Sequence, residues 1–170
     1  MDGLISDLLN LSRVSQGELK MSPIDMSALA AAACAEAVGP EVIAGFEMDL
    51  RPLPTAYGDP ALLRQVWLNL LSNAFKYSMK SPRRRIEVGG YAEGADLVYY
   101  VRDQGAGFDP EYGGKLFSAF QRLHKPEEFE GNGIGLALVR RIVSRHGGRV
   151  WAEGRPEEGA TFYFSLPGGD

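Results

Sequence analysis

The stretch Gln65-Val66-Trp67-Leu68-Asn69-Leu70-Leu71-Ser72-Asn73-Ala74-Phe75-Lys76-Tyr77 decides how this chain is read. At helical period Gln65, Asn69, Asn73 and Tyr77 fall four apart, and Lys76 lies three after Asn73, so all five share one face. Val66, Leu70 and Leu71 lie on other sides and can face a core. Asn is a poor helix-interior residue, because its amide competes with the backbone for hydrogen bonds. Two of them one turn apart, followed by Lys, make a stripe of oxygen ligands ending in a cation. Mg²⁺ takes such hard ligands while keeping waters and phosphate oxygens, and Lys supplies a point charge for phosphate. Alone, the stripe reads as a solvated polar face; the glycine motifs downstream change that.

Composition bounds the rest. The chain has 170 residues, 45% of them hydrophobic, which suits one ordinary domain with a short extra element. A net charge of −4 argues against a nucleic-acid surface. The basic run Arg83-Arg84-Arg85 reads as a solvated turn, and Glu127, Glu128 and Glu130 as solvated charges rather than a metal cluster. The single cysteine, Cys34, excludes an internal disulfide framework and reads as a small helix-packing residue. No apolar run approaches the roughly 18 residues of a membrane span. The chain is expected to be soluble and cytoplasmic.

Outward from the Asn stretch, Gly58-Asp59-Pro60 opens its helix, with Asp59 as cap and Pro60 at the first position. The helix is expected to end near Ser81-Pro82. Upstream, residues 2–15 read as a helix with a Leu4, Leu8, Leu11 seam that needs a partner, and 19–24 as an extended piece. Asp25 or Ser27 caps a second helix running to about Val38, stopped at Gly39-Pro40, and Val42 to Leu50 is expected to form a strand. Downstream, Arg85 to Tyr91 and Leu97 to Arg102 read as a hairpin joined through Gly94. Its second strand runs into Asp103-Gln-Gly105-Ala-Gly107. Residues 109–132 lack periodicity, as functional or mobile connections do. Gly131-Asn-Gly133-Ile-Gly135 then enters a helix over Leu136–His146, stopped by Gly147-Gly148, and a closing hairpin follows across Gly154–Gly159. Trp67 and Trp151 are expected to be partly buried packing residues, and His146 a structural cap.

A carboxylate at the end of a strand, such as Asp103, can accept a hydrogen bond from an amino group, while Gly105 and Gly107 let a flat ligand lie against bare backbone. Gly133 and Gly135 stand at a helix entry, where free N–H groups and the helix dipole favour an anion. Neither glycine run has the spacing of a dinucleotide fingerprint or a phosphate loop, and the His-Arg-Asp and Asp-Phe-Gly elements of eukaryotic-type kinases are absent.

Taken in order, Asn69/Asn73/Lys76, Asp103-x-Gly105-x-Gly107, Leu116-Phe-Ser-Ala-Phe-Gln-Arg122, Gly131-x-Gly133-x-Gly135 and Gly159-Ala-Thr161 resemble the ATP-binding catalytic domain of bacterial sensor histidine kinases. The resemblance runs from about Asp25 to Pro167. Phe120-Gln-Arg-Leu-His124, Glu128-Phe-Glu-Gly131 and Arg145-His-Gly-Gly-Arg-Val-Trp151 look most like its phytochrome-like branch. Residues 1–20 look like the end of the second helix of a dimerisation-and-phosphotransfer domain, leaving 21–170 as the catalytic domain. The resemblance implies an α+β two-layer sandwich, a mixed and mostly antiparallel sheet covered on one face by helices. It implies ATP and Mg²⁺ as cofactors. Asn73 is then the metal ligand, and Asn69 lies beside metal and phosphates. Lys76 and Arg122 contact phosphate, and Tyr77 lies near the nucleotide. Asp103 accepts from the adenine amino group with support from Thr161. Gly105 and Gly107 line the base, and Gly131, Gly133, Gly135 and Leu136 belong to the lid and triphosphate contacts. Asn132 departs from the Thr common between the lid glycines.

Gyrase, mismatch-repair ATPases and heat-shock chaperones share that fold and use a Glu one turn before the metal Asn to activate water. Here that place holds Asn69, whose amide accepts no proton at neutral pH. Transfer to a His is therefore favoured over hydrolysis. Neither His124 nor His146 sits in the family's acceptor motif. The resemblance implies as partners a phosphotransfer domain carrying the acceptor, a response regulator, and a second copy in the full-length protein, with no nucleic acid.

Overall fold

A computed structural model describes residues 9, 16–109, 117 and 135–168. The expected helix over 2–15, of which only Leu9 is described, therefore lies outside this range, as do Arg122, Gly131, Gly133 and the rest of the charged connection apart from Asp109 and Phe117.

The chain runs β1 (Ser22–Ile24), α1 (Met26–Ala37), α2 (Pro40–Ala44), β2 (Glu47–Leu50), β3 (Ala56–Gly58), α3 (Pro60–Ser78), β4 (Arg85–Glu93), β5 (Asp96–Asp103), α4 (Gly135–Arg145), β6 (Val150–Arg155) and β7 (Gly159–Pro167). Five strands form one sheet in the order β2-β4-β5-β7-β6, and β1 pairs antiparallel with β3 as a separate ribbon. Within the sheet only β2–β4 is parallel. Helices cover one face, so the α+β two-layer expectation holds.

Local chemistry accounts for most boundaries. Asp25 caps α1 by accepting from the Ala28 N–H at 3.1 Å; Ser27 instead accepts from the Leu53 N–H. Asp59 caps α3, accepting from Ala61 and Leu62 with Pro60 at the first position. In α3 Leu63, Val66, Trp67, Leu70, Leu71, Ala74 and Phe75 are buried, the three-and-four spacing of an amphipathic helix. Trp67 is fully buried, not partly, because it lies under the sheet with its ring edge-on to Tyr99 at 6.0 Å and Phe164 at 5.1 Å. In α4 the expected face Leu138, Val139, Ile142 and Val143 is buried. Gly147, at φ +82°, and Gly148 end that helix, their N–H groups donating to Ser144 and Val143. Cys34 is buried on α1, and burial pushes its thiol pKa up.

One expected strand is corrected. Only Glu47–Leu50 of the run from Val42 is extended. Pro40 both stops α1 and starts α2, which takes Val42 and Ile43. Short apolar runs do not discriminate helix from strand, and Pro is favoured at a first helical position. The Asn helix ends at Ser78, just short of Ser81-Pro82.

The inner face of the sheet carries Ile86, Val88, Tyr99, Val101, Phe162, Phe164 and Leu166, all in the core with α1, α3 and α4. The outer face carries polar and aromatic groups paired with one another: the Tyr100 hydroxyl donates to Glu87, Arg102 and Arg51 flank the same carboxylate, and Trp151 stacks on Tyr163 at 5.1 Å.

Candidate nucleotide site

Strand alternation puts Asp103 on the inner face with Tyr99 and Val101, and register makes it the only carboxylate there among the described residues. Asp103 is 3% exposed. Burial raises its pKa to about 6, against hydrogen bonds from the Gly105 and Ala160 backbone N–H groups, which pull the other way. Such a group accepts at both oxygens when ionised, and one of them becomes a donor when the carboxyl takes up its proton.

Asn69 and Asn73 are half-buried on the second half of α3, with Lys76 and Tyr77 one turn further. The Asn69 amide is fixed by its own helix: Nδ2 donates to the Gln65 carbonyl at 2.8 Å. Its Oδ1 is thereby turned toward the start of α4, 2.8 Å from the point a Cβ on Gly135 would occupy. Leu136 follows Gly135 and is buried in the core. The Lys76 ammonium lies over the Tyr77 ring, 4.8 Å from its centroid.

Gly105 and Gly107 also have a packing cause of their own. The space beside each is filled by the protein's own backbone. A Cβ on Gly105 would lie 2.3 Å from the Tyr77 carbonyl oxygen, and one on Gly107 would lie 1.9 Å from that of Arg155. Gly107 also has φ +65°. The Ala106 N–H donates to the Tyr77 carbonyl at 3.0 Å, tying the turn after Asp103 to the end of the Asn helix. The two glycines therefore let chain segments approach, and bring Asp103 under Tyr77.

The Thr161 side chain and that of Asp103 lie on opposite faces of the sheet. Asp103 pairs with Ala160 and Arg102 with Thr161, so the Thr161 side chain leaves the sheet on the outer face. There its hydroxyl accepts from Arg102 Nε at 3.1 Å. Ala160 stands beside Asp103 instead, through its backbone N–H. Ala160 lies inside the Gly159-Ala-Thr161 motif, but only the register shows that it, rather than Thr161, stands beside Asp103.

The structure thus brings together Asn69 with Gly135, and Tyr77 with Gly105 and Asp103. Two cavities flank this group. One of about 690 Å³ reaches Asp103, Gly159 and Ala160, and one of about 380 Å³ reaches Tyr77 and Gly105. Neither includes Asn69 or Asn73. Among the described residues no three His, Cys, Asp or Glu side chains cluster to hold a metal ion. The donors available on α3 are neutral amide oxygens, which suit a hard cation that draws its remaining ligands from phosphate and water. His146 is structural, as expected. It is buried, its Nε2 accepts from the Asp59 N–H at 3.0 Å, and its Nδ1 faces the Ile142 carbonyl at 2.8 Å.

Residues 58–170 match the family described as histidine kinase-, DNA gyrase B-, and HSP90-like ATPase. The phytochrome-like protein Cph1 of Synechocystis sp. is 34% identical over 171 residues, covering 100% of this chain and 23% of Cph1. The adaptive-response sensory kinase SasA of Trichormus variabilis is 33% identical, covering 98% of this chain and 43% of SasA. This chain therefore spans less than half the length of either relative. Among solved structures, full-length ShkA in complex with AMPPNP superposes with TM-score 0.79 at 30% identity, covering 97% of this chain and 35% of ShkA. The catalytic domain of histidine kinase ThkA shares the fold, with TM-score 0.67 at 24% identity over 87% of this chain and 97% of that domain. No described helix is long and apolar enough to cross a membrane.

Proposed function

Because the chain belongs to the family of histidine kinase-, DNA gyrase B- and HSP90-like ATPases, we propose that it is the catalytic part of a sensor histidine kinase, binding Mg·ATP and delivering the γ-phosphoryl group to a His on a phosphotransfer domain. The observation that carries this reading is the pairing on one helix of an amide, Asn69, aimed at the start of α4, with a buried acceptor, Asp103, below that helix's end.

The base would be selected by Asp103, which when ionised accepts from the adenine amino group and repels the guanine carbonyl oxygen. Asn73 would hold Mg²⁺ through its amide oxygen, with Asn69 beside it. Lys76 and Arg122 would face the phosphates, with Gly131, Gly133, Gly135 and Leu136 lining the lid side. When bound, Mg²⁺ supplies charge neutralisation to the phosphates. Phosphoryl transfer through a loose transition state asks chiefly for positioning and charge, and this residue set supplies both. It offers no carboxylate at position 69 to take a proton from water, which favours transfer over hydrolysis. The acceptor His, a response regulator and a second copy of the full-length protein are the partners this reading requires, in the cytoplasm.

The test uses radiolabelled ATP with the chain alone, with an added phosphotransfer domain carrying its His, and with Asn73→Ala. The expected outcome is acid-labile label on the added domain only, lost in the variant. Label on this chain alone, rapid phosphate release, or undiminished transfer by Asn73→Ala would overturn the proposal. Nucleotide binding without transfer to any such domain would mark a regulatory module instead.

A further inference from the structure

Helices α3 and α4 meet at two places. At one, Asn69 faces Gly135; at the other, the Asp59 N–H donates to His146. Asp59 to Asn69 along α3, and Gly135 to His146 along α4, are each about 15 Å of helix. The pair is therefore antiparallel, with the nucleotide group at one end and a second polar cluster at the other.

That second cluster holds residues 16–20, the first continuous described segment of the chain. Asp59 splits its carboxylate. Oδ1 caps α3 at Ala61 and Leu62, and Oδ2 accepts from the Lys20 N–H at 3.0 Å. Arg145, in the last turn of α4, donates through both terminal nitrogens to the Gln16 and Gly17 carbonyls. Gly17 has φ +80°, and a Cβ there would meet no atom within 4 Å, so backbone conformation alone asks for glycine. The following residues are stitched to the chain just before Asp59, with Ser22 opposite Gly58 and Ile24 opposite Ala56. Gly58 in turn lies under His146, where a Cβ would come within 3.1 Å of the ring.

We propose that Asp59 and Arg145 are positioning residues that clasp residues 16–20 to the far ends of the two site helices, and so set the direction in which the preceding chain leaves the domain. This rests on the proposed function: where the preceding chain leads to the acceptor His, the clasp decides how the γ-phosphoryl group is aimed. Arg145 and the Asp59 carboxylate lie a helix length from the nucleotide group, so the clasp orients without touching nucleotide.

The experiment measures electron-paramagnetic-resonance distances in the whole chain between spin labels at Leu9→Cys and Met79→Cys, in a Cys34→Ala background. Asp59→Asn keeps one oxygen for the cap and puts an amide donor against the Lys20 N–H. Arg145→Gln removes the double donation and touches no cap. Each is expected to widen the distance distribution at least twofold, with Arg145→Lys restoring most of the original width. Distributions that superimpose on the parent's overturn the clasp. If Asp59→Asn lowers the melting midpoint by more than a few degrees, its cap has failed and Arg145→Gln decides. Calorimetry with Mg·ATP is read separately. Affinities within threefold of the parent are expected for both variants. Failure of the parent itself to bind overturns the proposed function, while the label widths still decide the clasp.

Discussion

Asn69 Oδ1 lies 2.8 Å from the point where a side chain on Gly135 would begin. The contact joins the middle of α3 to the first residue of α4, and the yielding atom is the end of a short side chain rather than backbone. Gly135→Ala is therefore expected to cost less than about 1 kcal/mol of stability, since rotation of one amide relieves it, while moving that amide off its Gln65 partner. Mg·ATP affinity should fall at least fivefold. Urea unfolding and calorimetry on the same sample check the two halves.

Gly107 makes the opposite case. Its φ of +65° disfavours any L side chain, and an added Cβ would sit 1.9 Å from the Arg155 carbonyl oxygen. Backbone cannot rotate away as a side-chain tip does. Gly107→Ala should cost about 3 kcal/mol or more, the sum of a left-handed penalty and a displaced strand end. Its denaturation midpoint should fall well below that of Gly135→Ala; equal midpoints would contradict the packing described.

Asp103 should leave a signature in pH. Its pKa is about 6 in the folded chain against 3.8 as the ordinary value. Between these values the folded state holds the proton more tightly, so stability falls as pH rises through the window. The full cost above pH 6 is about 3 kcal/mol, at roughly 1.4 kcal/mol per unit. In the nucleotide-free chain, parent and Asp103→Asn stabilities measured by urea at pH 4, 5, 6 and 7 should diverge by that order, the variant gaining relative to the parent as pH rises. A difference independent of pH would show the carboxylate is not held protonated by burial.

The same group bears on base choice. Ionised Asp103 accepts and cannot donate, so ATP should bind at least tenfold tighter than GTP, and Asp103→Ala should lose a similar factor for ATP. The ATP preference should weaken below pH 6 as the carboxyl takes up its proton. Calorimetric titrations with both nucleotides at pH 5 and 7.5 test this; equal affinities at pH 7.5 would remove Asp103 from the base site.

His146→Ala should be destabilising although it lies far from that site. It leaves the Asp59 N–H buried without its acceptor and opens space above Gly58. An unmet buried donor costs about 1–3 kcal/mol. The thermal midpoint should drop, and exchange at the Asp59 amide should accelerate by more than at the Val66 amide in mid-helix. Uniform acceleration at both would indicate global loosening rather than a lost local acceptor.

Much of this molecule was legible locally. The 3.6-residue spacing from Leu63 to Phe75, the cap and proline at Asp59-Pro60, the glycines after Arg145, and both hairpins are written in interactions that reach no further than about four residues or one tight turn. They depend on the chain near them, so the chain near them reveals them. The order of the Asn, Asp and Gly motifs also set the family and the residues to look at.

What tertiary structure decided lies in contacts between distant segments. Which face of the sheet Thr161 occupies depends on the register of β7 against β5, some sixty residues earlier, and one step of register exchanges the two faces. The three-residue strands β1 and β3 exist only because they pair with each other. Val42 and Ile43 fit a strand or a helix equally well until Pro40 and the packing of the sheet edge choose. Gly105 and Gly107 read in the sequence as room for a ligand. The fold adds a second demand: the carbonyls of Tyr77 and Arg155 arrive beside them from other parts of the chain, and no local pattern encodes that approach.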